Sequence, residues 1–333
     1  MKRALIYTLI LAAAGLFLRT YLPRMSASAV QTAVLALPDF RGWKDAQLVH
    51  GSGIEAVVVP SIGRIMDFRL AGESGGPFWF LPEMSGKPVD AAAGEWPNFG
   101  GDKTWPAPQS AWPARYPRSW PPPPVFDQSP LTVLPLPGAP GLQMESPVDS
   151  ATGIKFVRTI TPGPSTGQMS VRTAYYKESG DPVEISIWVI TQLADPELIA
   201  TPANAGPEPW LAMSENVTGV EVRDGLVLWR RDAAKAQKIG TSARSLVWVG
   251  KSRVLRIDLL LDQESSALFP DKGCSAQIYT NPNPKTYVEL ETLGPLVTLK
   301  PGDLAAATNL YTLTERHSGD DAVQAARRAL GLP

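Results

Sequence analysis

The sequence predicts an all-β protein that folds as a sandwich or a barrel of short strands. Three observations support this class: short apolar runs recur along the chain, turn-forming residues separate them, and only one segment near the C-terminus has a clear helical pattern. The 333 residues are 44% hydrophobic and 19% charged, which provides enough apolar material for a large core. Strands and helices do not alternate along the sequence, so a parallel α/β sheet is not expected.

The predicted strands follow one another with short connections. Two apolar runs, residues 53–60 and 63–70, form a predicted hairpin, and the pair Asp224-Gly225 is typical of a two-residue hairpin turn. A helix is predicted over residues 320–330, with Ser318 as its N-cap. The other predicted strands cover residues 154–160, 169–176, 183–192, 225–230, 245–250, 254–261, 276–280, 286–292 and 305–313.

Residues 1–29 are predicted to be a signal peptide or an N-terminal membrane anchor. A positively charged start precedes an uncharged stretch, residues 4–18, and residues 27–29 form a small-residue cleavage pattern. Cleavage and retention both stay open, and contact with a membrane is expected only through residues 4–18 if the segment is uncleaved. Either outcome predicts an exported protein, periplasmic or extracellular. The further predicted divisions are a linker over residues 30–44, a β domain over residues 45–315 and a C-terminal helix over residues 316–333.

Composition excludes several classes of partner and cofactor. The formal net charge is −1, from 31 basic and 32 acidic residues, whereas a nucleic-acid partner would require a basic surface. A single cysteine, Cys274, excludes an intrachain disulfide and cysteine-based zinc sites. The two histidines, His50 and His317, lie far apart in the sequence, so no metal site is expected, and no motif points to a cofactor. No pattern indicates an oligomeric state.

Residues 96–140 form a segment rich in proline and tryptophan, with 13 of the 33 prolines and four of the ten tryptophans. Proline removes hydrogen-bond donors from a β-ladder, so this segment is not expected to contain a central strand. Disordered segments are poor in aromatic residues, whereas this one is rich in them. We therefore predict an ordered loop that lies over one face of the sheet, and long ordered loops commonly carry function.

The first part of this loop carries polar and aromatic residues typical of a sugar site. Indole rings can pack against the C–H face of a sugar, and side-chain amides, carboxylates and amines can pair with its hydroxyls. The alternative is a structural turn in which the polar residues pair with each other or with the backbone. The candidate residues are Asn98, Asp102, Lys103, Trp105, Gln109 and Trp112.

A second cluster lies on a predicted strand near the C-terminus. Alternate residues of a strand share a face, so Lys285, Tyr287, Glu289 and Glu291 line one side of it. The two glutamates have Cα atoms ~6.6 Å apart, and enclosure would raise the pKa of at least one carboxyl, as general acid or base catalysis requires. The alternative is a solvated sheet face. Trp188 on another predicted strand adds an aromatic side chain, which favours a cleft.

Five sequence segments form one recognisable set. They are residues 60–65 (PSIGRI), 98–109 (NFGGDKTWPAPQ), 188–192 (WVITQ), 287–295 (YVELETLGP) and 299–302 (LKPG). Together they resemble a bacterial family of unknown function within the galactose mutarotase-like (aldose 1-epimerase-like) superfamily, and the resemblance covers residues 45–315. It implies a β-supersandwich whose concave sheet carries a carbohydrate-facing cleft. The long Pro/Trp-rich loop and a short C-terminal helix complete the expected architecture.

The resemblance also implies roles for particular residues. Arg64 matches the substrate-binding arginine of aldose epimerases. Glu289 matches their catalytic glutamate, which removes a proton from the sugar O1, and Glu291 takes that role if the register shifts. The remaining candidate contacts to a substrate are the side chains of Asn98, Trp105, Gln109, Trp112, Trp188 and Tyr287.

The sequence departs from the aldose epimerases in its histidines. Those enzymes use a histidine to donate a proton to the ring oxygen, but His50 and His317 fall outside the matching segments. Lys103, Asp102 or Tyr287 would have to replace it. The sequence therefore predicts an exported carbohydrate-binding protein, whose partner is a carbohydrate or sugar derivative. An aldose 1-epimerase-like isomerase is the first alternative, and a glycan lyase or hydrolase is the second.

Overall fold

A computed structural model describes residues 34–89, 96–204, 208–262 and 268–333. The predicted signal peptide or anchor, residues 1–29, lies outside the described residues. Within those residues, no helix is long and apolar enough to cross a membrane. The first described strand begins at Val34, inside the segment predicted as a linker, and pairs with the next strand of the sheet.

Short strands make up most of the described chain. The first ten are β1 (Val34–Leu37), β2 (Ala46–Gly51), β3 (Ile54–Val59), β4 (Arg64–Leu70), β5 (Asp102–Ala107), β6 (Thr132–Pro135), β7 (Leu142–Glu145), β8 (Ile154–Pro162), β9 (Gln168–Lys177) and β10 (Val183–Ala194). The others are β11 (Leu198–Pro202), β12 (Leu211–Ala212), β13 (Val220–Arg223), β14 (Leu226–Trp229), β15 (Gln237–Thr241), β16 (Ser245–Val249), β17 (Arg253–Leu261), β18 (Ala276–Thr280), β19 (Tyr287–Leu293), β20 (Val297–Leu299) and β21 (Leu304–Glu315). The helical segments are α1 (Pro124–Asp127), α2 (Pro270–Gly273) and α3 (Ala322–Ala329), with 3₁₀ turns at Pro60–Ile62, Pro82–Met84 and Gln109–Ala114.

These strands form two antiparallel sheets. The larger has 11 strands in the order β1-β2-β3-β4-β5-β10-β19-β18-β15-β12, with β20 also paired to β10. The smaller has ten, in the order β13-β14-β11-β16-β17-β21-β9-β8-β7-β6. The largest buried hydrophobic cluster takes side chains from both sheets, among them Phe68, Tyr175 and Tyr311. The core therefore lies between the sheets, and the predicted all-β sandwich is confirmed.

Both predicted hairpins are confirmed. β3 pairs with β4 across the turn at Pro60–Ile62, and β13 pairs with β14 around Asp224-Gly225. Asp224 and Gly225 have φ values of 52° and 75°, the left-handed conformation that a two-residue type I′ turn requires. Each of the other predicted strands overlaps an observed strand.

The expectation that residues 96–140 contain no central strand is wrong. β5 lies inside the large sheet between β4 and β10, although it includes Pro106. It pairs with β10 along its whole length but with β4 only where Ile65 faces Asp102, so its other edge is free at Pro106. The carbonyl oxygen of Pro106 accepts a hydrogen bond from Trp112 Nε1 at 2.7 Å instead. Pro106 has no backbone N–H, but on this unpaired edge of β5 the sheet loses no hydrogen bond because of it.

The predicted C-terminal helix is confirmed as α3, but its N-cap is Asp321 rather than Ser318. Asp321 Oδ1 accepts hydrogen bonds from the backbone N–H groups of Val323 and Gln324, both at 2.8 Å. Gln324 Oε1 accepts in return from the Asp321 backbone at 2.8 Å, which completes a capping box. This reciprocal pairing satisfies helix N–H groups that Ser318, three residues earlier, is too far away to reach.

Candidate functional site

A cavity of about 460 Å³ opens on the large sheet, where β5, β10, β19, β18 and β15 lie side by side. Its volume is within the range of small-molecule sites. We call it the tryptophan cavity. Its lining residues are Trp96, Asn98, Trp105, Gln109, Trp120, Trp188, Lys238, Tyr279, Asn281, Lys285, Tyr287 and Glu289.

The strand register explains why these side chains meet. Trp105 pairs directly with Trp188, and Glu289 pairs directly with Gln192 on one side and Tyr279 on the other. Directly paired residues of neighbouring strands point to the same face, as do residues an even number apart on one strand. Trp188 and Gln192 both lie on β10, four positions apart, so the aromatic and acidic parts of the cavity belong to one face of the sheet.

Four indole rings form one wall of the tryptophan cavity. Trp105 stands at its centre, with ring centroids 5.9 Å from Trp96, 5.9 Å from Trp120 and 5.4 Å from Trp188, all in edge-to-face geometry. Trp96 and Trp120 contact each other in the same way at 5.2 Å. Edge-to-face pairs are the favoured arrangement of aromatic rings, so the wall is held in a defined geometry. Trp120 is 45% exposed and forms the solvent side of the wall.

Asp127, at the end of α1, holds this wall in place. Its Oδ1 accepts hydrogen bonds from Trp105 Nε1 and Arg64 Nη2, both at 2.8 Å, and its Oδ2 accepts from Trp96 Nε1 at 2.7 Å. The Arg64 and Asp127 side chains are completely buried. Because a buried carboxylate needs its hydrogen bonds satisfied, Asp127 fixes the positions of two indoles and one guanidinium together.

Glu289 and Lys103 form a buried acid–base pair beside the tryptophan wall. Glu289 Oε1 accepts a hydrogen bond from Gln192 Nε2 at 2.8 Å and lies 3.9 Å from Lys103 Nζ. Burial raises the pKa of Glu289, a shift that Lys103 opposes. Burial lowers the pKa of Lys103 to about 8, against the stabilising charge of Glu289.

Two polar atoms around this pair are buried and unpaired. Within the described residues, neither Lys103 Nζ nor Gln192 Oε1 has a hydrogen-bond partner. Lys103 Nζ instead lies 5.2 Å from the ring centroid of Trp105 and 5.8 Å from that of Trp96. Leaving a buried donor or acceptor unpaired costs about 1–3 kcal/mol. A donor and an acceptor are therefore left available next to Glu289.

Glu291, two residues along β19, has one carboxylate oxygen in hydrogen bonds, while its Oε1 is buried without a partner among the described residues. Its Oε2 accepts from Trp188 Nε1 at 2.7 Å and from Lys238 Nζ at 2.8 Å. Its side chain is fully buried, and Lys238 Nζ also lies 4.8 Å from the Trp188 ring centroid. Glu291 thus supports Trp188 and Lys238, while Glu289 lines the cavity itself.

Solved structures share this architecture. A candidate aldose 1-epimerase from Klebsiella pneumoniae aligns with a TM-score of 0.58 at 10% identity, covering 90% of this chain and 86% of that one. The Slr1438 protein from Synechocystis aligns at 0.56 and 12% identity, covering 81% and 95%. A candidate mutarotase from Salmonella typhimurium aligns at 0.52 and 10% identity, covering 82% and 91%. This chain has the galactose mutarotase-like fold. No protein-family profile matches the sequence, and no curated protein matches it.

The galactose mutarotase-like sandwich brings several predicted residues to one place. Asn98, Trp105 and Gln109 from the Pro/Trp-rich loop share the tryptophan cavity with three residues of the acidic cluster, although about 175 positions separate the two segments. Glu289, rather than Glu291, lies on the cavity surface. The predicted residues that line the cavity are Asn98, Trp105, Gln109, Trp188, Lys285, Tyr287 and Glu289.

Five predicted residues do not line the cavity: Lys103 and Glu291, described above, and Asp102, Trp112 and Arg64. Asp102 lies on the opposite face of β5 from Lys103, because consecutive residues of a strand alternate, and it binds Arg158 between the sheets. Trp112 is fully buried behind Trp105, at 5.8 Å between ring centroids, and its Nε1 bonds to a backbone carbonyl. Arg64 is also fully buried and pairs with Asp127. The expected direct roles of Asp102, Trp112 and Arg64 at a ligand are therefore replaced by structural ones.

Sequence reasoning missed several parts of the site in this galactose mutarotase-like fold. Trp96 and Trp120 had a signal, since both lie in the Pro/Trp-rich segment. Asp127 lies three residues after a run of four prolines. Such a run indicates a rigid turn, which could hold the carboxyl of Asp127 in one position. Lys238, Tyr279 and Asn281 carry no local signal, because only strand pairing brings them near. Among the described residues, no cluster of three or more His, Cys, Asp or Glu is placed to hold a metal.

We expect the substitution Asp127→Asn to disorder the tryptophan wall. An amide nitrogen placed near an indole N–H or the Arg64 guanidinium cannot accept a hydrogen bond, so at least one buried donor loses its acceptor. The expected loss in the free energy of unfolding is about 1–3 kcal/mol, measured by urea unfolding. Near-ultraviolet circular dichroism should change with it. Glu184→Gln, at an exposed glutamate, is the control, and an unchanged stability and spectrum in the Asp127 variant would contradict this role.

Proposed function

We propose that this protein binds a saccharide in the tryptophan cavity. The observation that carries the proposal is the pairing of an indole wall with buried, unpaired polar atoms on one face of the sheet. Trp105 and Trp188 present flat apolar surface, whereas Lys103 Nζ and Gln192 Oε1 present a free donor and a free acceptor. A sugar offers apolar C–H faces that can pack on the indole wall, and hydroxyls that can donate to or accept from the unpaired polar atoms.

The polar residues of the cavity suit hydroxyl recognition. Asn98, Gln109 and Asn281 carry amides that can both donate and accept, and Glu289 can accept. A hydroxyl that reaches Lys103 and Gln192 would satisfy two buried atoms at once, which removes an existing penalty and adds to affinity. Structural neighbours that are candidate epimerases and mutarotases support the same class of ligand. We also propose that the predicted N-terminal segment exports the protein, so that it meets its ligand outside the cytoplasm.

Saturation-transfer NMR and calorimetry with glucose, galactose and their uronic acids test the binding proposal. We expect at least one of these sugars to bind, and Trp120→Ala to weaken its affinity by about fivefold to tenfold, because Trp120 forms the exposed side of the wall. Trp210→Ala removes a tryptophan outside the cavity and is the matched control. Binding that is equally strong in the Trp120 variant, or absent for every sugar, would refute the proposed site.

A second candidate function is an isomerase that opens and closes a sugar ring. The specific observation in its favour is the Lys103–Glu289 pair, whose pKa values shift in opposite directions. Glu289 would take the O1 proton, the bond from C1 to the ring oxygen would break as C1=O1 forms, and Lys103 would protonate the ring oxygen. Tyr287 is a poorer acid, since burial and Glu289 raise its pKa. Asp102 lies on the other face of β5, so Lys103 is the acid that the geometry favours.

A glycan lyase or hydrolase receives less support. Inverting hydrolases place two carboxyls across the substrate from each other, about 6.5–9.5 Å apart. Glu289 and Glu291 lie on one strand instead, and the Glu291 carboxylate accepts hydrogen bonds from Trp188 and Lys238. Only Glu289 is placed at the cavity surface.

A further inference from the structure

The charged groups at the tryptophan cavity do not balance. Lys238 pairs with Glu291 at 2.8 Å, and Lys103 faces Glu289 at 3.9 Å. Each of these pairs is neutral overall, whether or not a proton passes between the partners. Lys285, which also lines the cavity, has no ion-pair partner among the described residues.

Arg64 does not change this balance. It pairs with Asp127 at 2.8 Å behind the tryptophan wall, and both side chains are completely buried, so this pair adds no net charge either. The cavity therefore carries one uncompensated positive charge at Lys285.

The turn that carries Lys285 is held in a fixed conformation. Asn281 Nδ2 donates hydrogen bonds to the carbonyl oxygens of Lys285 at 2.7 Å and of Pro282 at 3.1 Å. Arg231 donates to Asn281 O at 2.9 Å and is itself neutralised by Asp195. The backbone at Lys285 is thus anchored at the rim of the cavity, and its side chain is exposed there.

The cations also lie on the same side of the cavity. Lys238 is on β15, next to β18, and its paired residue on β18 is Tyr279. Tyr279 OH donates to Asn281 Oδ1 at 2.9 Å, which connects β18 to the Lys285 turn. Trp105 and Trp188 of the tryptophan wall lie on β5 and β10, on the other side of Glu289, and the Lys238 ammonium lies 4.8 Å from the Trp188 ring centroid. A ligand packed on the indoles would meet Lys238 beside Trp188 and would extend its far end towards Lys285.

We propose that the tryptophan cavity takes a saccharide with an anionic substituent, which lies against Lys285 and Lys238. This proposal rests on the proposed saccharide binding and narrows its ligand class. The anion supplies the missing negative charge, and its oxygens accept hydrogen bonds from the lysine ammonium groups. A carboxylate of a uronic acid and a phosphate ester share this chemistry.

Calorimetry on the full chain tests the proposal with matched pairs: galacturonate against galactose, glucuronate against glucose, and glucose 6-phosphate against glucose. We expect at least one acidic sugar to bind about tenfold more tightly than its neutral parent, with a preference that falls as salt is added. The arm with the strongest preference identifies the anionic group as carboxylate or phosphate. Lys285→Gln should reduce the preference to less than about twofold, and Lys300→Gln, at an exposed lysine outside the cavity, should leave it intact.

The results of this calorimetry distinguish the proposal of an anionic ligand from the proposal of saccharide binding on which it rests. Neutral and acidic sugars that bind equally well would overturn the anionic ligand but leave saccharide binding in place. If no sugar bound, the proposed function itself would fail. A preference that survives in Lys285→Gln, or a Lys285 variant that loses neutral and acidic sugars to the same extent, would overturn the assignment to this lysine.

Discussion

Replacing Asp102 with alanine is expected to lower the free energy of unfolding by about 3–5 kcal/mol. The Asp102 carboxylate is buried between the two sheets, where it pairs with Arg158. Its Oδ2 also accepts hydrogen bonds from Thr191 at 2.7 Å and from Tyr311 at 2.6 Å. The alanine variant would leave the guanidinium of Arg158 charged and fully buried without this carboxylate, which is the costly half of a broken ion pair.

Urea unfolding followed by circular dichroism measures this loss. The double variant Asp102→Ala/Arg158→Met removes both charges, so it should be more stable than the single variant, and it keeps the test valid if the single variant does not fold. Because Asp102 faces the core, the folded double variant should keep the wild-type affinity for any saccharide that the protein proves to bind. A loss below about 1 kcal/mol in Asp102→Ala, or a double variant less stable than the single one, would contradict the buried ion pair.

Asp102 also shows where sequence reasoning stops. The segment from Asn98 to Gln109 carries the right kinds of residue, and the cavity does form there. Which of Asp102 and Lys103 faces the cavity depends on whether the chain is extended at that point. Pro106 argues locally against a strand, and only the incomplete pairing with β4 makes the strand possible. The incomplete pairing of β5 with β4 depends on residues far apart in the sequence, so local sequence could not show which of the two side chains faces the cavity.

The clearest predictions from sequence are those that depend on alternation alone. Tyr287 and Glu289 were expected on one face of a strand, and both line the cavity. Alternation could not choose between Glu289 and Glu291, since both lie on that face. The choice depends on Trp188 and Lys238, which hydrogen-bond to Glu291 from two other strands. Partners of this kind come from sheet pairing, and no spacing along β19 indicates them.

The roles of Arg64 and Trp112 could not be read from residue type. Arginine and tryptophan are common in binding sites, but both side chains here lie behind the wall that a ligand would contact. Arg64 and Asp127 are 63 positions apart in the sequence, and their contact depends on how α1 returns to the sheet. The resemblance to aldose epimerases identified the fold correctly, whereas Arg64 and Trp112, which it placed at a substrate, are fully buried and contact protein groups.

Ring opening, where the protein catalyses it, should depend on Glu289 and follow a bell-shaped pH profile. Glu289→Gln removes the general base, so the rate of mutarotation should fall by about 10²–10⁴-fold. The base is active only when deprotonated, and its raised pKa means that activity is lost as the pH falls through that raised value. Lys103 is the acid only when protonated, and its pKa of about 8 means that activity is lost as the pH rises through about 8. Polarimetry of freshly dissolved α-anomers measures both limbs.

Lys103→Met distinguishes an acid from a structural lysine. The variant keeps the length of the side chain beside Trp105 and removes the group that titrates near pH 8, so the alkaline limb should disappear together with most of the rate. Glu184→Gln changes an exposed glutamate on β10 and should leave the rate and both limbs unchanged. A Glu289→Gln variant that turns over sugar at the wild-type rate would exclude the isomerase mechanism. In that case the buried pair would serve only to hold a ligand hydroxyl.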